Sequence, residues 1–185
     1  MVPEFKAYPK TPRLEQETYI ISEKIDGTNG ILHITKCPDT GLSTIIPGSR
    51  SKWLLNDGSR SWDNHGFGQW VADNKEELSK LPEGIHYGEW YGKGINRNYG
   101  LSDRRFMLFN FHRYANLDVL PSVVELETVL EEGISPTRLA EAVRKHKMDL
   151  LTAGSLHVPG FIRTEGLIIR SRLSAKVYKE VWSKD

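Results

Sequence analysis

The sequence predicts an α+β fold built mainly from antiparallel sheet. Three observations carry that expectation. Short β-branched or aromatic runs recur along the chain. Most are joined by turns rich in Gly, Asn or Pro, as hairpins are. Only a few stretches space their apolar residues helically, and they lie among the strands rather than alternating strictly with them.

Residues 1–14 are rich in Pro and Lys and read as an extended lead-in. Residues 18–26 (TYIISEKID) begin β-branched and read as a strand. Gly27, Asn29 and Gly30 then turn the chain, and residues 31–35 alternate like a returning strand. Residues 44–46 make a short strand before Pro47 and Gly48, and residues 58–66 are polar and loop-like. In residues 69–81, Trp70, Val71, Leu78 and Leu81 have roughly helical spacing, and Pro82 stops the helix. Strands follow at 85–91 and 105–111, then a helix at 122–130. Ser135 or Thr137 is placed to cap a further helix, with Pro136 in its first turn, running to about His146. Residues 166–171 and 175–178 close the chain as strands. No repeat, low-complexity tract or linker interrupts the 185 residues, which suit one domain with a real core.

Composition narrows the function. Apolar residues make up 38% and charged residues 26%, the balance of a globular chain rather than a disordered one. No apolar run reaches the ~18 residues of a membrane helix, so no membrane role is expected. The N-terminus lacks the apolar stretch of a secretory signal. Cys37 is the only cysteine, which rules out an intrachain disulfide and argues for a reducing, cytoplasmic setting. The net charge of +1 is low for a general nucleic-acid binder, so any polynucleotide footprint should be small and local. Basic residues do cluster, at Arg50, Lys52 and Arg60, at Lys93 and Arg97, and from Arg163 through Arg170 and Arg172 to Lys176 and Lys179.

The sharpest chemical feature is Glu23-Lys24-Ile25-Asp26-Gly27-Thr28-Asn29. A lysine at a strand end beside a glycine turn can project into a cleft. Its amine is a nucleophile only when neutral, a form that nearby cations, a bound metal or loss of water favours. Asp26, two residues on, should share its side of an extended strand and could orient the amine or a ribose. Gly27 permits close backbone approach. Alone, a K-x-D-G is short enough to arise by chance. Four further motifs follow it in order: Gly48-Ser49-Arg50, His86-Tyr87-Gly88-Glu89-Trp90-Tyr91-Gly92, Phe106-Met107-Leu108-Phe109-Asn110-Phe111, and Thr164-Glu165-Gly166-Leu167-Ile168-Ile169-Arg170, which leads into Lys176 and Lys179.

In order and spacing these motifs resemble the ATP-dependent RNA ligase family, and EKIDGTN is closest to its RNA ligase 2 type. The resemblance spans nearly the whole chain. It implies the ATP-grasp-like nucleotidyltransferase domain of polynucleotide ligases, with ATP as co-substrate and magnesium or manganese as the metal. It implies that Lys24 attacks the α-phosphate of ATP, and that the adenylate passes to RNA bearing a 5′-phosphate and is then displaced by a 3′-hydroxyl. Position by position, it places Glu23 at the adenine edge, partly through its backbone, and Asp26 and Gly27 around the nucleotide. Asn29 and Arg50 fall near the ribose and the phosphate or RNA end. Glu89 falls on a ribose hydroxyl, Phe109 on the base, Glu165 (with Glu89) on the metal, and Lys176 and Lys179 on the α-phosphate.

Two departures stand out. The family's usual Asp after the stacking Phe is Asn110 here, an amide that carries no negative charge. The usual K-x-K is Lys176-Val177-Tyr178-Lys179, in which strand alternation puts Tyr178 rather than Lys179 beside Lys176, so Lys176 is the leading candidate. After Lys179 there is no room for the OB-fold of DNA ligases and capping enzymes, nor for the further C-terminal domain of RNA ligase 2. A single catalytic module is therefore expected, with a second copy or an accessory RNA-binding partner to help grip RNA, in a viral or phage setting or another cytoplasm. The other readings are a DNA ligase or guanylyltransferase-like relative, an adenylyltransferase for a non-nucleic-acid acceptor, and an inactive nucleic-acid-binding module. His112 and His157 are secondary candidates for substrate contact, and Trp53, Trp62 and Trp70 for an RNA-facing surface or core.

Overall fold

The computed structural model describes residue 4 and residues 6–59 and 62–182; Arg60 lies outside them. Among the described residues, nine strands form two sheets. The first, in order β7-β1-β8-β9, contains Val129–Ile134, Tyr19–Lys24, Gly166–Ser171 and Val177–Val181. The second, in order β3-β2-β4-β5-β6, contains Ser43–Gly48, Thr28–Lys36, Gly84–Gly92, Arg104–Leu108 and Val124–Leu126. Every pairing is antiparallel except β5 with β6. Helices α1 (Phe67–Asp73), α2 (Lys75–Leu78), α3 (Phe111–Tyr114) and α4 (Leu139–Ala153) cover the sheets. The expected α+β class is the observed one.

Each sheet has one packed face and one face left for the site. Residues directly opposite in a ladder share a face. In the five-stranded sheet, Leu32, Ile34, Trp90, Phe106 and Leu108 pack against Phe67, Val71, Leu78 and Leu81 from α1, α2 and the turn after them. Gly30 and Gly88 fall on this same face, where a side chain would strike the rings of Phe67 and Phe106. In the four-stranded sheet, Ile21, Leu167 and Ile169 pack under Ala142 and Leu150 of α4. The opposite faces carry Asn29, Glu89 and Met107 on one sheet and Lys24, Ser22 and Ile168 on the other. A third cluster, Ile25, Tyr91, Tyr99, Met107 and Val158, closes the seam between them.

Several elements differ from expectation. β1 and β2 are not a hairpin: they lie in different sheets, and residues 25–27 carry the chain from one to the other. Asn29 and Gly30, expected in the turn, are inside β2. The expected helix at 122–130 is β6 and the start of β7. Its valines suit strands, and tertiary contacts fix its carboxylates: Glu127 accepts from Ser22 Oγ and the Phe111 amide, and Glu125 accepts from Tyr91. The helix at 69–81 starts at Phe67 and breaks at Asn74, whose side-chain amide donates to the Trp70 carbonyl at 2.8 Å. β5 stops at Leu108, because Asn110 takes a left-handed φ of 65° and starts α3. α4 is led in by Arg138, neither Ser135 nor Thr137 caps it through its side chain, and it runs on to Ala153. The last strand is shifted to Val177–Val181. Just before β1, buried Glu17 accepts hydrogen bonds from Ser171 Oγ (2.8 Å) and the Leu173 amide (3.2 Å), fastening the approach to β1 to the β8–β9 hairpin.

Candidate active site

Lys24 ends β1 directly opposite Gly166 of β8. Glu165, the residue before Gly166, is thereby brought 141 positions along the chain to Lys24, with Nζ to Oε2 at 2.7 Å. The Lys24 and Glu165 side chains are 19% and 12% exposed, shielded but reachable from a cleft. The ammonium also donates to the Ile25 carbonyl at 3.4 Å.

The crossover that follows Lys24 brings in the second wall. The Gly27 amide donates to Glu89 Oε1 at 2.9 Å. A Cβ on Gly27 would lie 2.4 Å from the Trp90 carbonyl oxygen and 3.0 Å from Glu89 Cγ, so only glycine lets the chain approach this closely. Glu89 is buried. Burial pushes its carboxyl up to about 7, against the pull of Lys24 and of the Gly27 hydrogen bond. Asn29 lies directly across from Glu89, and Met107 flanks Glu89 on the other side. Two cavities meet at Phe109. A narrow slot of about 40 Å³ is lined by Glu23, Lys24, Glu89, Met107, Phe109 and Ile168 among others. A wider opening of about 280 Å³ is lined by Asn29, Ile31, Arg50, Tyr87 and Phe109 among others. Lys24, Glu23, Glu89, Asn29, Arg50, Phe109 and Glu165 are thus brought together.

Four candidates sit differently from expectation. Asp26 does not share Lys24's side, because the strand ends at Lys24 and the chain turns across the seam. Its carboxylate lies 3.1 Å from Arg97 Nε and accepts from Asn96 Nδ2 at 2.9 Å, on the wall of a separate cavity of about 790 Å³ that also contains Lys147, Arg163 and Trp182. Glu23 lines the slot, but one carboxylate oxygen is taken by the Leu156 and His157 amides at 2.9 Å each, while Oε1 is buried without a partner. The two C-terminal lysines exchange rank. Lys179 is directly opposite Ile168, a slot residue, and so shares the cleft face. Lys176 precedes β9 at the far end of the hairpin, where its carbonyl accepts from the Ser171 amide.

Sequence reasoning missed the residues that hold the site from behind. Asn96, Arg97 and Tyr99 lie between β4 and β5. Tyr99 accepts a hydrogen bond from the Asp26 amide at 2.6 Å, and Arg97 donates to the Arg163 carbonyl at 3.2 Å. Arg97 stood out only as half of a basic pair with Lys93, and the polar run KGINRNYG was the one sequence signal for Asn96 and Tyr99. His157, a secondary candidate for substrate, is instead buried between Thr128 Oγ1 (2.8 Å) and Glu125 Oε2 (3.2 Å), where it steadies the loop whose amides hold Glu23. His112 sits at the surface, 3.0 Å from Glu132. Trp62 and Trp70 pack on the core, and Trp53 is 45% exposed.

No cluster of three or more His, Cys, Asp or Glu side chains able to hold an ion occurs among the described residues. Glu89 and Glu165 beside Lys24 fit a hard cation that keeps water and phosphate oxygens as most of its ligands, as magnesium does.

Two mainly antiparallel sheets closing on a strand-end lysine beside carboxylates match the nucleotidyltransferase fold of RNA ligases. The chain belongs to the RNA ligase family, whose profile matches residues 17–184. Similar solved structures include Naegleria gruberi RNA ligase with pyrophosphate (TM-score 0.63, 19% identity, covering 91% of this chain and 51% of that one). A point mutant of that ligase with ATP and manganese gives a TM-score of 0.61 at 20% identity, covering 91% and 51%. An apo mutant gives 0.62 at 18%, covering 97% and 57%. At these identities the likeness is one of fold, and the chain spans about half the length of the structures it matches. No curated protein matches the sequence significantly.

Proposed function

We propose that the chain is the catalytic unit of an ATP-dependent RNA ligase, forming a lysyl-adenylate on Lys24 and passing AMP to an RNA 5′-phosphate for joining to a 3′-hydroxyl. The observation that carries this is the Lys24–Glu165 contact of 2.7 Å at the mouth of a cleft whose other wall presents Glu89. In the first step Lys24 Nζ bonds to the α-phosphorus of ATP, the bond to pyrophosphate breaks, and the amine proton is lost. That requires the neutral amine, so the ammonium must first give up a proton, which Glu165 Oε2, 2.7 Å from Nζ, is in reach to pass to solvent. Glu165 and Glu89 are the carboxylates that would hold a magnesium or manganese ion brought in with the nucleotide. Such an ion supplies charge neutralisation at the phosphates.

Glu89, fixed by the Gly27 amide through one oxygen, keeps the other for a ribose hydroxyl. Phe109, the wall shared by both cavities, would stack on the base. Lys179, on the cleft face of β9, is the better placed lysine for the α-phosphate. In the second step an RNA 5′-phosphate oxygen bonds to the AMP phosphorus and the P–N bond breaks, returning the amine. In the third, a 3′-hydroxyl bonds to the RNA phosphorus and AMP leaves.

The test is incubation with ATP labelled at the α-phosphate and magnesium or manganese, followed by unlabelled 5′-phosphorylated RNA carrying a free 3′-hydroxyl. Label should appear on the protein, then on the RNA 5′ end, then as free AMP beside a joined product. Label that reaches the protein and stays there when RNA is offered would favour a different acceptor.

A further inference from the structure

The cleft face of the five-stranded sheet does not end at the nucleotide site. Beyond the Asn29–Glu89–Met107 row, the next row is Gly48–Ile31–Tyr87, followed by His33–Ile85. Tyr87 is 52% exposed, and its carbonyl accepts from the Phe109 amide at 2.9 Å. Trp53 lies over Gly48, where a Cβ would meet its ring at 2.9 Å, and its ring centroid is 5.9 Å from that of His33. The turn between Gly48 and Trp53, closed by the Ser49 amide on the Lys52 carbonyl, carries exposed Arg50 at its tip. Two partly exposed aromatic side chains and an exposed arginine thus share one wall, which runs into the nucleotide cavity through Tyr87, Arg50 and Phe109. Among the described residues the Gly48–Ile31–Tyr87 and His33–Ile85 rows carry no carboxylate, and Glu89 and Glu125 both lie on the Asn29–Met107 row.

We infer that this strip binds unpaired nucleotides of the RNA strand being processed, with bases stacking on Tyr87 and Trp53 and Arg50 meeting the backbone between them. The inference rests on the proposed function and adds that the strand is single-stranded where it crosses the sheet. An aromatic face with a nearby cation suits a nucleobase and its phosphate better than it suits a purely aliphatic or purely charged partner. Bases held in a duplex have no free faces to offer. A small footprint of two rings and one guanidinium also agrees with a net charge of only +1.

The test is a binding titration with a 5′-phosphorylated single-stranded RNA of roughly ten nucleotides, run beside adenylation by ATP without RNA. Trp53→Ala and Tyr87→Ala should each weaken RNA binding on the order of tenfold, and Trp53→Phe should restore most of it. Trp53→Ala should be adenylated at the wild-type rate, which also reports that it folds. If wild-type protein is adenylated and binds the RNA but both alanine variants bind equally well, the strip plays no part and the inference is overturned, with the functional proposal intact. Binding only to duplex RNA overturns it too. Absence of wild-type adenylation removes the functional proposal instead.

Discussion

The two walls of the cleft are built differently. The five-stranded sheet is backed by interlocking rings: Phe67 lies 4.9 Å from Phe106 and 5.4 Å from Trp90, and Trp70 lies 5.1 Å from Trp90. The four-stranded sheet rests on the aliphatic side chains of Ile21, Leu167, Ile169, Ala142 and Leu150, and its edge strand β9 is largely exposed. The heavier wall presents Glu89, Asn29 and Phe109, groups suited to reading a sugar and a base. The lighter wall presents Lys24, Glu165 and Lys179, groups suited to moving phosphate charge. Under the proposed function, recognition would fall to the ring-backed wall and the phosphate chemistry to the lighter one.

Four outcomes break or sharpen that contrast. The largest is structural. Phe106→Ala should lower stability by about 4 kcal/mol, because fully buried rings surround it, whereas Ile169→Val in the lighter wall should lose only about 1 kcal/mol. Denaturant melts of the two variants measure this, and equal losses would erase the distinction between the walls. Next, Glu165→Ala should slow adenylation at least ~100-fold, on the order of 3 kcal/mol, with the melt largely unchanged; a matching collapse in stability would make Glu165 structural.

The third concerns Glu89, whose carboxyl is raised by burial from 4.5 to about 7. Below about pH 4.5 the group is protonated folded or unfolded and nothing is lost. Between there and about pH 7 the unfolded chain releases a proton that the folded chain retains, so stability falls as pH rises, and above that the loss is constant. Glu89→Gln removes the charge but leaves an amide to satisfy. It should therefore stabilise the fold by on the order of 2 kcal/mol at pH 8 and by little at pH 4.5, as thermal melts at the two pH values would report. A pH-independent difference would contradict the assignment. The smallest is the lysine pair: Lys179→Ala should cost roughly tenfold in adenylation and Lys176→Ala less than about twofold, a ranking that single-turnover rates can reverse.

Much of the site was legible in the sequence because its residues are local. Lys24, Gly27 and Asn29 fall within one short motif, and Glu89 and Glu165 each sit beside a glycine inside a strand. What could not be read was which strands share a sheet. TYIISEKID and the run after it look like a hairpin by periodicity, and the seam cluster that sends them to different sheets is assembled from Ile25, Tyr91, Tyr99 and Val158, far apart in sequence. The same fact reversed the expectation for Asp26, which crosses the seam toward Arg97. Residues 122–130 have helical spacing, yet Glu125 and Glu127 are claimed by partners on other elements. Lys176 looked stronger than Lys179 from spacing alone, and only the β8–β9 register, with Lys179 opposite Ile168, inverts them. Asn110, a departure from the family's Asp, stands at the left-handed residue that ends β5, a position asparagine tolerates well.

The central claim is that Lys24 is the nucleophile. Intact-mass measurement after incubation with ATP and magnesium or manganese, followed by peptide mapping, tests it most directly. The account predicts a mass gain of one AMP, on Lys24 alone, absent from Lys24→Ala and reversed by added pyrophosphate. An AMP mapped to any other residue, or an adduct that persists in Lys24→Ala, would contradict it.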